Sequence, residues 1–130
     1  MTIRHFDDLL RQARRQTDPQ RLLLVFAGAE LPDRATQAQR IAFEAGEGGT
    51  LAPLMCVDKA PADLASFEAL VEESRRAGPD WSILFTAVLP GPASAADIEA
   101  ALQRMVEAIK AGNLAAFLPF NLRGEPVALG

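Results

Sequence analysis

The chain holds a single cysteine (Cys56), a single histidine (His5) and no tyrosine in 130 residues. A lone cysteine excludes an internal disulfide, and so few Cys and His side chains exclude the zinc patterns and most nucleophile–base sets that catalysis draws on. Long apolar runs are missing as well. The longest stretch, Leu22–Ala27, falls far short of the roughly 20 residues needed to span a bilayer. The opening residues Met1–Asp8 place Asp7 and Asp8 where a signal peptide needs its apolar stretch. The expectation is a cytoplasmic protein of a bacterial-type, reducing compartment, without membrane contact.

What is present is ordinary for a folded domain: 49 % hydrophobic and 23 % charged residues, with a net charge of −4. A chain of this length fits one domain with a real core. The charge is unevenly spread. Arg4, Arg11, Arg14, Arg15 and Arg21 oppose only Asp7, Asp8 and Asp18 in the first 21 residues, whereas the remainder is acidic. Such a basic first helix can dock on the acidic body or on a partner. Five arginines without interleaved aromatics argue against nucleic acid, and a solvated helix face is the simpler reading.

Ile3, Phe6, Leu9, Leu10 and Ala13 recur at spacings of three and four, which predicts a first helix ended by Pro19. The unbroken run after Arg21 predicts a strand buried on both faces, as at the centre of a layered sheet. A short helix near Ala35–Ala45 and the glycine-rich Glu44–Gly49 follow. Leu51–Val57 predicts a second strand, and Pro53, with no amide donor, places it at an edge or beside a bulge. Pro61, Asp63, Leu64, Phe67, Leu70 and Val71 predict a helix that Gly78-Pro79 stops. Trp81–Leu89 reads as the third strand. Ser94 and Asp97 form a capping box before the stripe Ile98, Ala101, Leu102, Met105 and Ile109. Leu114–Phe120 and Pro126–Leu129 predict a C-terminal β-hairpin around Gly124.

The alternation of elements predicts one compact α/β domain over residues 1–130. Its mixed sheet would have about five strands, packed with three to four helices and joined by parallel crossovers. If the first three strands are parallel, the loops after them share one rim, where open α/β sheets bind ligands. That rim would gather Glu30, Asp58, Lys59 and Ser94, with Gly28, Asp33, Cys56 and Gly91 nearby. These four side chains are the ligand-binding candidates.

Each has a plainer alternative. Asp58 can cap a helix, Lys59 can point into solvent, and Pro90–Ser94 can be a loop and cap rather than an anion site. Cys56, between Met55 and Val57, reads as a core thiol, and His5 as a surface residue. Glu30, Asp33, Glu44 and Glu47 match no EF-hand or zinc spacing, so no metal is expected, and no cofactor fingerprint is present.

The segments Leu22–Pro32, Phe43–Gly49, Pro53–Lys59, Met105–Gly112 and Gly124–Val127 resemble, over nearly the whole chain, a family of small proteobacterial proteins commonly labelled "ribonucleotide reductase subunit alpha". The resemblance carries no catalytic motif, so no functional residue passes to this sequence. One cysteine, no tyrosine and 130 residues cannot supply the radical cysteine, the reducing cysteine pair and the large barrel of such a catalytic subunit.

The sequence therefore favours a non-catalytic module that binds a small molecule or a protein partner. The alternatives are a homo-oligomeric structural protein pairing through Leu114–Leu129, and a small enzyme. In the last, Lys59 would stabilise charge, Asp58 act as base and Glu30 orient it.

Overall fold

The apolar run that sequence marks as doubly buried lies in β1 (Gln20–Glu30), inside a sheet completed by β2 (Thr50–Lys59), β3 (Ile83–Pro90) and β4 (Leu118–Phe120). The computed structural model describes residues 2–30, 34–44 and 50–128. Helices α1 (Phe6–Arg14), α2 (Gln37–Glu44), α3 (Phe67–Ala77) and α4 (Ala95–Lys110) complete one α/β domain. The strand order is β2-β1-β3-β4, and every neighbouring pair is antiparallel.

This corrects the expected mixed sheet of about five strands joined by parallel crossovers. Strands β1 and β2 are antiparallel neighbours rather than parallel strands joined by a crossover. A continuous apolar run reports burial on two faces, and a central antiparallel strand meets that condition as well as a parallel one does. Strands β2 and β3 flank β1 and run parallel to each other, with α3 between them in the chain.

The two faces of β1 build two cores. Leu22, Leu24 and Phe26 pack with Phe6 and Leu10 of α1, Leu64, Phe67 and Leu70 of α3 and its approach, Trp81 and Phe120. Leu23, Val25 and Ala27 pack on the other side with Phe85 and with Ala101, Met105 and Ile109 of α4. Each such large side chain, fully withdrawn from water, contributes about 1.5–3 kcal/mol before entropy is counted. The first core is the aromatic one. Phe6 meets Phe120 edge-on at 5.5 Å between ring centroids, and Trp81 meets Phe26 at 5.1 Å. The indole N–H of Trp81 donates to Ser74 Oγ at 2.8 Å, so its one polar atom is satisfied inside.

Strand β2 is outermost and carries an extra residue. Phe26 faces Met55 and Ala27 faces Pro53, leaving Leu54 as a bulge. Both consequences expected of Pro53 are thus present. Helix α3 begins later than Pro61 suggests: Pro61–Asp63 is a separate 3-10 turn, and Ser66 is the N-cap, accepting from the Ala69 amide. The predicted capping box at Ser94 and Asp97 opens α4.

The C-terminal hairpin is reduced to a turn. Residues 114–117 are not extended, and Pro126, lacking an N–H, meets Phe120 only in an isolated bridge. Leu129 lies outside the described residues. Gly124 does take the expected positive φ, +78°. Its carbonyl accepts from the Phe6 amide at 2.7 Å, which ties the turn to the start of α1. No helix of the described residues is long and apolar enough to cross a membrane.

Candidate functional site

Antiparallel pairing redistributes the four residues expected on one rim. Glu30 is the register partner of Thr50, whereas Lys59 is the partner of Leu22, so Glu30 and the Asp58–Lys59 pair stand at opposite ends of β1. Pro90 pairs with Gln20, which brings the loop before Ser94 to the Asp58–Lys59 end. There Asp58 of β2 and Ala95, the residue after Ser94, line the same groove. Asp33 and Glu47 lie outside the described residues. Among the described residues no three His, Cys, Asp or Glu side chains converge as a metal site.

Asp58 and Lys59 are neighbours in sequence but sit on opposite faces, because side chains alternate along a strand. Asp58 shares its face with its partner Leu23, the α4 side. It accepts two hydrogen bonds from the Arg21 guanidinium, one from Nε at 3.0 Å. Lys59 shares the α1 and α3 side with Leu22, and its Nζ donates to Glu73 Oε1 at 2.7 Å. Asp58 and Lys59 are therefore both engaged within the fold. Arg21 is the partner that sequence reasoning did not single out; it precedes the buried run and carried no motif. Ser94 is exposed, and its hydroxyl accepts from the Asp97 amide at 3.1 Å. The Asp97 carboxylate in turn accepts from the Ser94 amide, so this helix start is capped by its own side chains.

Other polar groups are likewise committed. Asp7 Oδ1 accepts from the Phe67 amide at 2.8 Å, capping α3 from α1. The Arg14 guanidinium donates to the carbonyls of Pro61, Leu64 and Ala65, so part of the basic first helix docks on the body. Asp8 accepts from the Arg4 amide and pairs with Arg11. The backbone hydrogen bond first, and the guanidinium second, hold its carboxyl below the ordinary value. His5 is a structural residue. Its Nδ1 accepts from the Asp7 amide at 3.0 Å, leaving Nε2 to donate to the Arg123 carbonyl at 2.9 Å.

Cys56 departs from expectation. It is exposed rather than buried, because β2 is the edge strand and α4 leaves its α4-side surface open there. On that side Cys56 and Asp58 form one wall of a groove of about 510 Å³, and Ile98, Leu102 and Val106 of α4 form the other. On the opposite face Met55, Val57, Leu70 and Glu73 line a narrower cleft of about 290 Å³. The candidate site is thus the outer edge of β2 with an apolar groove along each face.

Sequence reasoning placed Ile98 and Leu102 in one stripe with the sheet-facing residues of α4 and left out Val106. Ala101, Met105 and Ile109 face the sheet, while Ile98, Leu102 and Val106 form a parallel row that is only half-buried. The signal was there: the apolar arc of α4 is wider than one sheet contact requires. No protein-family model, curated protein or solved structure matches this chain.

Proposed function

We propose that this chain is a non-catalytic binding module that engages a protein partner along the outer edge of β2. The observation that carries the reading is positional. A ten-residue strand is outermost in the sheet, and its apolar side chains continue into a groove on each face. Such an edge offers a row of backbone donors and acceptors for strand addition, while the grooves supply side-chain selectivity. Its central stretch, Leu54–Val57, holds no charge to repel an added strand. The charged pair beyond it, Asp58 and Lys59, is drawn inward by Arg21 and Glu73.

Site-specific photocrosslinking in the host cell tests this reading. A photoreactive residue is placed at Cys56 and, in a parallel variant, at exposed Gln16 in the segment after α1. Adducts with a defined protein at position 56 and none at position 16 are expected. Equal labelling at both sites, or none at position 56, would overturn it.

A further inference from the structure

We infer that His5 is a proton-operated clasp: a second proton on its ring releases the cap of α1, draws in the Asp7 carboxylate and loosens the first turn of α3. A single side chain here joins three parts of the fold through partners whose roles are fixed. Its Nδ1 accepts from the Asp7 amide at 3.0 Å, at the start of α1. Its Nε2 lies 2.9 Å from the Arg123 carbonyl, in the turn after β4. Its ring meets the Phe67 ring of α3 edge-on, with centroids 5.7 Å apart.

An amide N–H only donates and a carbonyl only accepts, so both contacts require a neutral ring protonated at Nε2. The cationic ring carries a proton on each nitrogen. It keeps the Arg123 carbonyl, but its Nδ1–H then points at the Asp7 N–H. Flipping the ring offers no escape, because ring carbons would then stand where the nitrogens stood. The ring is also confined on the side of the turn, where Gly124 lies so near that an added Cβ would strike it.

The acceptor at hand is the Asp7 carboxylate, whose Oδ2 lies 3.5 Å from Nδ1. Its other oxygen accepts from the Phe67 amide at 2.8 Å and so caps α3. With a neutral ring Asp7 serves two helices at once, its amide satisfied by His5 and its carboxylate bound to Phe67. A proton on Nδ1 takes the acceptor from that amide and pulls the carboxylate toward the ring, in competition with Phe67. Helix α3 keeps its own N-cap, because Ser66 accepts from the Ala69 amide. The response is therefore confined to the first turn.

Charges face the ring from every element packed against it. They are Asp7 and Asp8 on α1, Glu68, Glu72 and Arg75 on α3, and Arg123 on the C-terminal turn. Asp8 is paired with Arg11 and Glu72 with Arg76, which leaves Asp7 and Glu68 to oppose Arg75 and Arg123. The fixed hydrogen-bond roles, rather than the sum of these charges, then set the arrangement that each protonation state adopts. Imidazole changes charge between about pH 5 and 8, and His5 is the only histidine in the chain, so a response in that range is readily traced to it.

Nitrogen NMR of the ring and amide hydrogen exchange, both at about pH 8 and about pH 5.5, form the test. The Asp7 carboxylate stays ionised throughout that range. The wild type is compared with His5→Asn, which keeps a capping oxygen but does not titrate. At the higher pH the ring proton is expected on Nε2, with Nδ1 bare. At the lower pH, protection of the Asp7 and Phe67 amides, corrected for the intrinsic pH dependence of exchange, should fall by about 5-fold or more. Protection of Ala69 should hold, and His5→Asn should show no fall at any of these amides.

A ring proton on Nδ1 at the higher pH would overturn the inference. So would equal protection of Asp7 and Phe67 at both pH values, or the same fall in His5→Asn as in the wild type. Should His5→Asn fail to fold, the two wild-type measurements decide the matter between them.

Discussion

At one margin of the sheet, β4 is three residues long, contains Pro119 and is followed by a turn that folds Pro126 back against Phe120. At the other, β2 runs for ten residues, and no described strand lies outside it. Both margins carry proline, yet its effect differs. Near β4, two prolines and a glycine turn bound to α1 convert the strand end into part of the core, with Phe120 fully buried. In β2, Pro53 sits near the start and leaves Leu54–Lys59 extended and unprotected. One margin therefore serves stability, and the other is the one we propose for recognition.

The sharpest way to break the contrast is in the core beneath β4. Phe120→Ala should cost about 3–5 kcal/mol in urea unfolding, because a buried ring packed edge-on against Phe6 leaves a cavity. A loss below about 1 kcal/mol would mean that this margin is not built into the core. Gly124→Ala should come next. At φ +78° a Cβ there would collide with the His5 ring, so the substitution is both strained and obstructed. A loss of about 1–3 kcal/mol is expected, and pairing it with His5→Ala should recover only the steric part.

At the open margin the effect on folding should be small. Cys56→Lys should change the unfolding free energy of dilute protein by less than about 0.5 kcal/mol, since the side chain is exposed. A large loss would place Cys56 inside the fold after all.

The smallest effect concerns Asp8, whose carboxyl is held below its ordinary value by the Arg4 amide and by Arg11. A lowered folded-state value stabilises the protein above the unfolded value, roughly pH 3.9. That contribution is lost as pH falls through the folded value. Thermal unfolding of Asp8→Asn should therefore match the wild type more closely at the acid end than near neutrality. Parallel curves throughout would contradict the assignment.

Much of this architecture was legible in particular residues. The run Leu22–Ala27 marked the central strand, Pro53 marked the edge and bulge, and Ser94 with Asp97 marked the start of α4. Strand direction was not legible, because two-face burial has the same apolar signature in either sense. The start of α3 was misread for a local reason: Pro61 and Asp63 suit a 3-10 turn as well as a helix N-terminus. Cys56 looked internal because Met55 and Val57 are apolar, but apolar neighbours along an edge strand do not imply a cover above it. Among the four candidate ligand-binding residues, only the placement of Asp58 beside the start of α4 resembles the expected gathering. The ion pairs with Arg21 and Glu73 depend on strand register, which no spacing along the chain reveals.

Amide hydrogen exchange of the wild-type chain tests the central claim most directly, because it reads both margins in one sample. The account predicts that the amides within Leu54–Lys59 that point away from β1 exchange quickly, while those of Leu118 and Phe120, paired with β3, exchange slowly. Fast exchange at Phe120, or uniform protection along Leu54–Lys59, would contradict it.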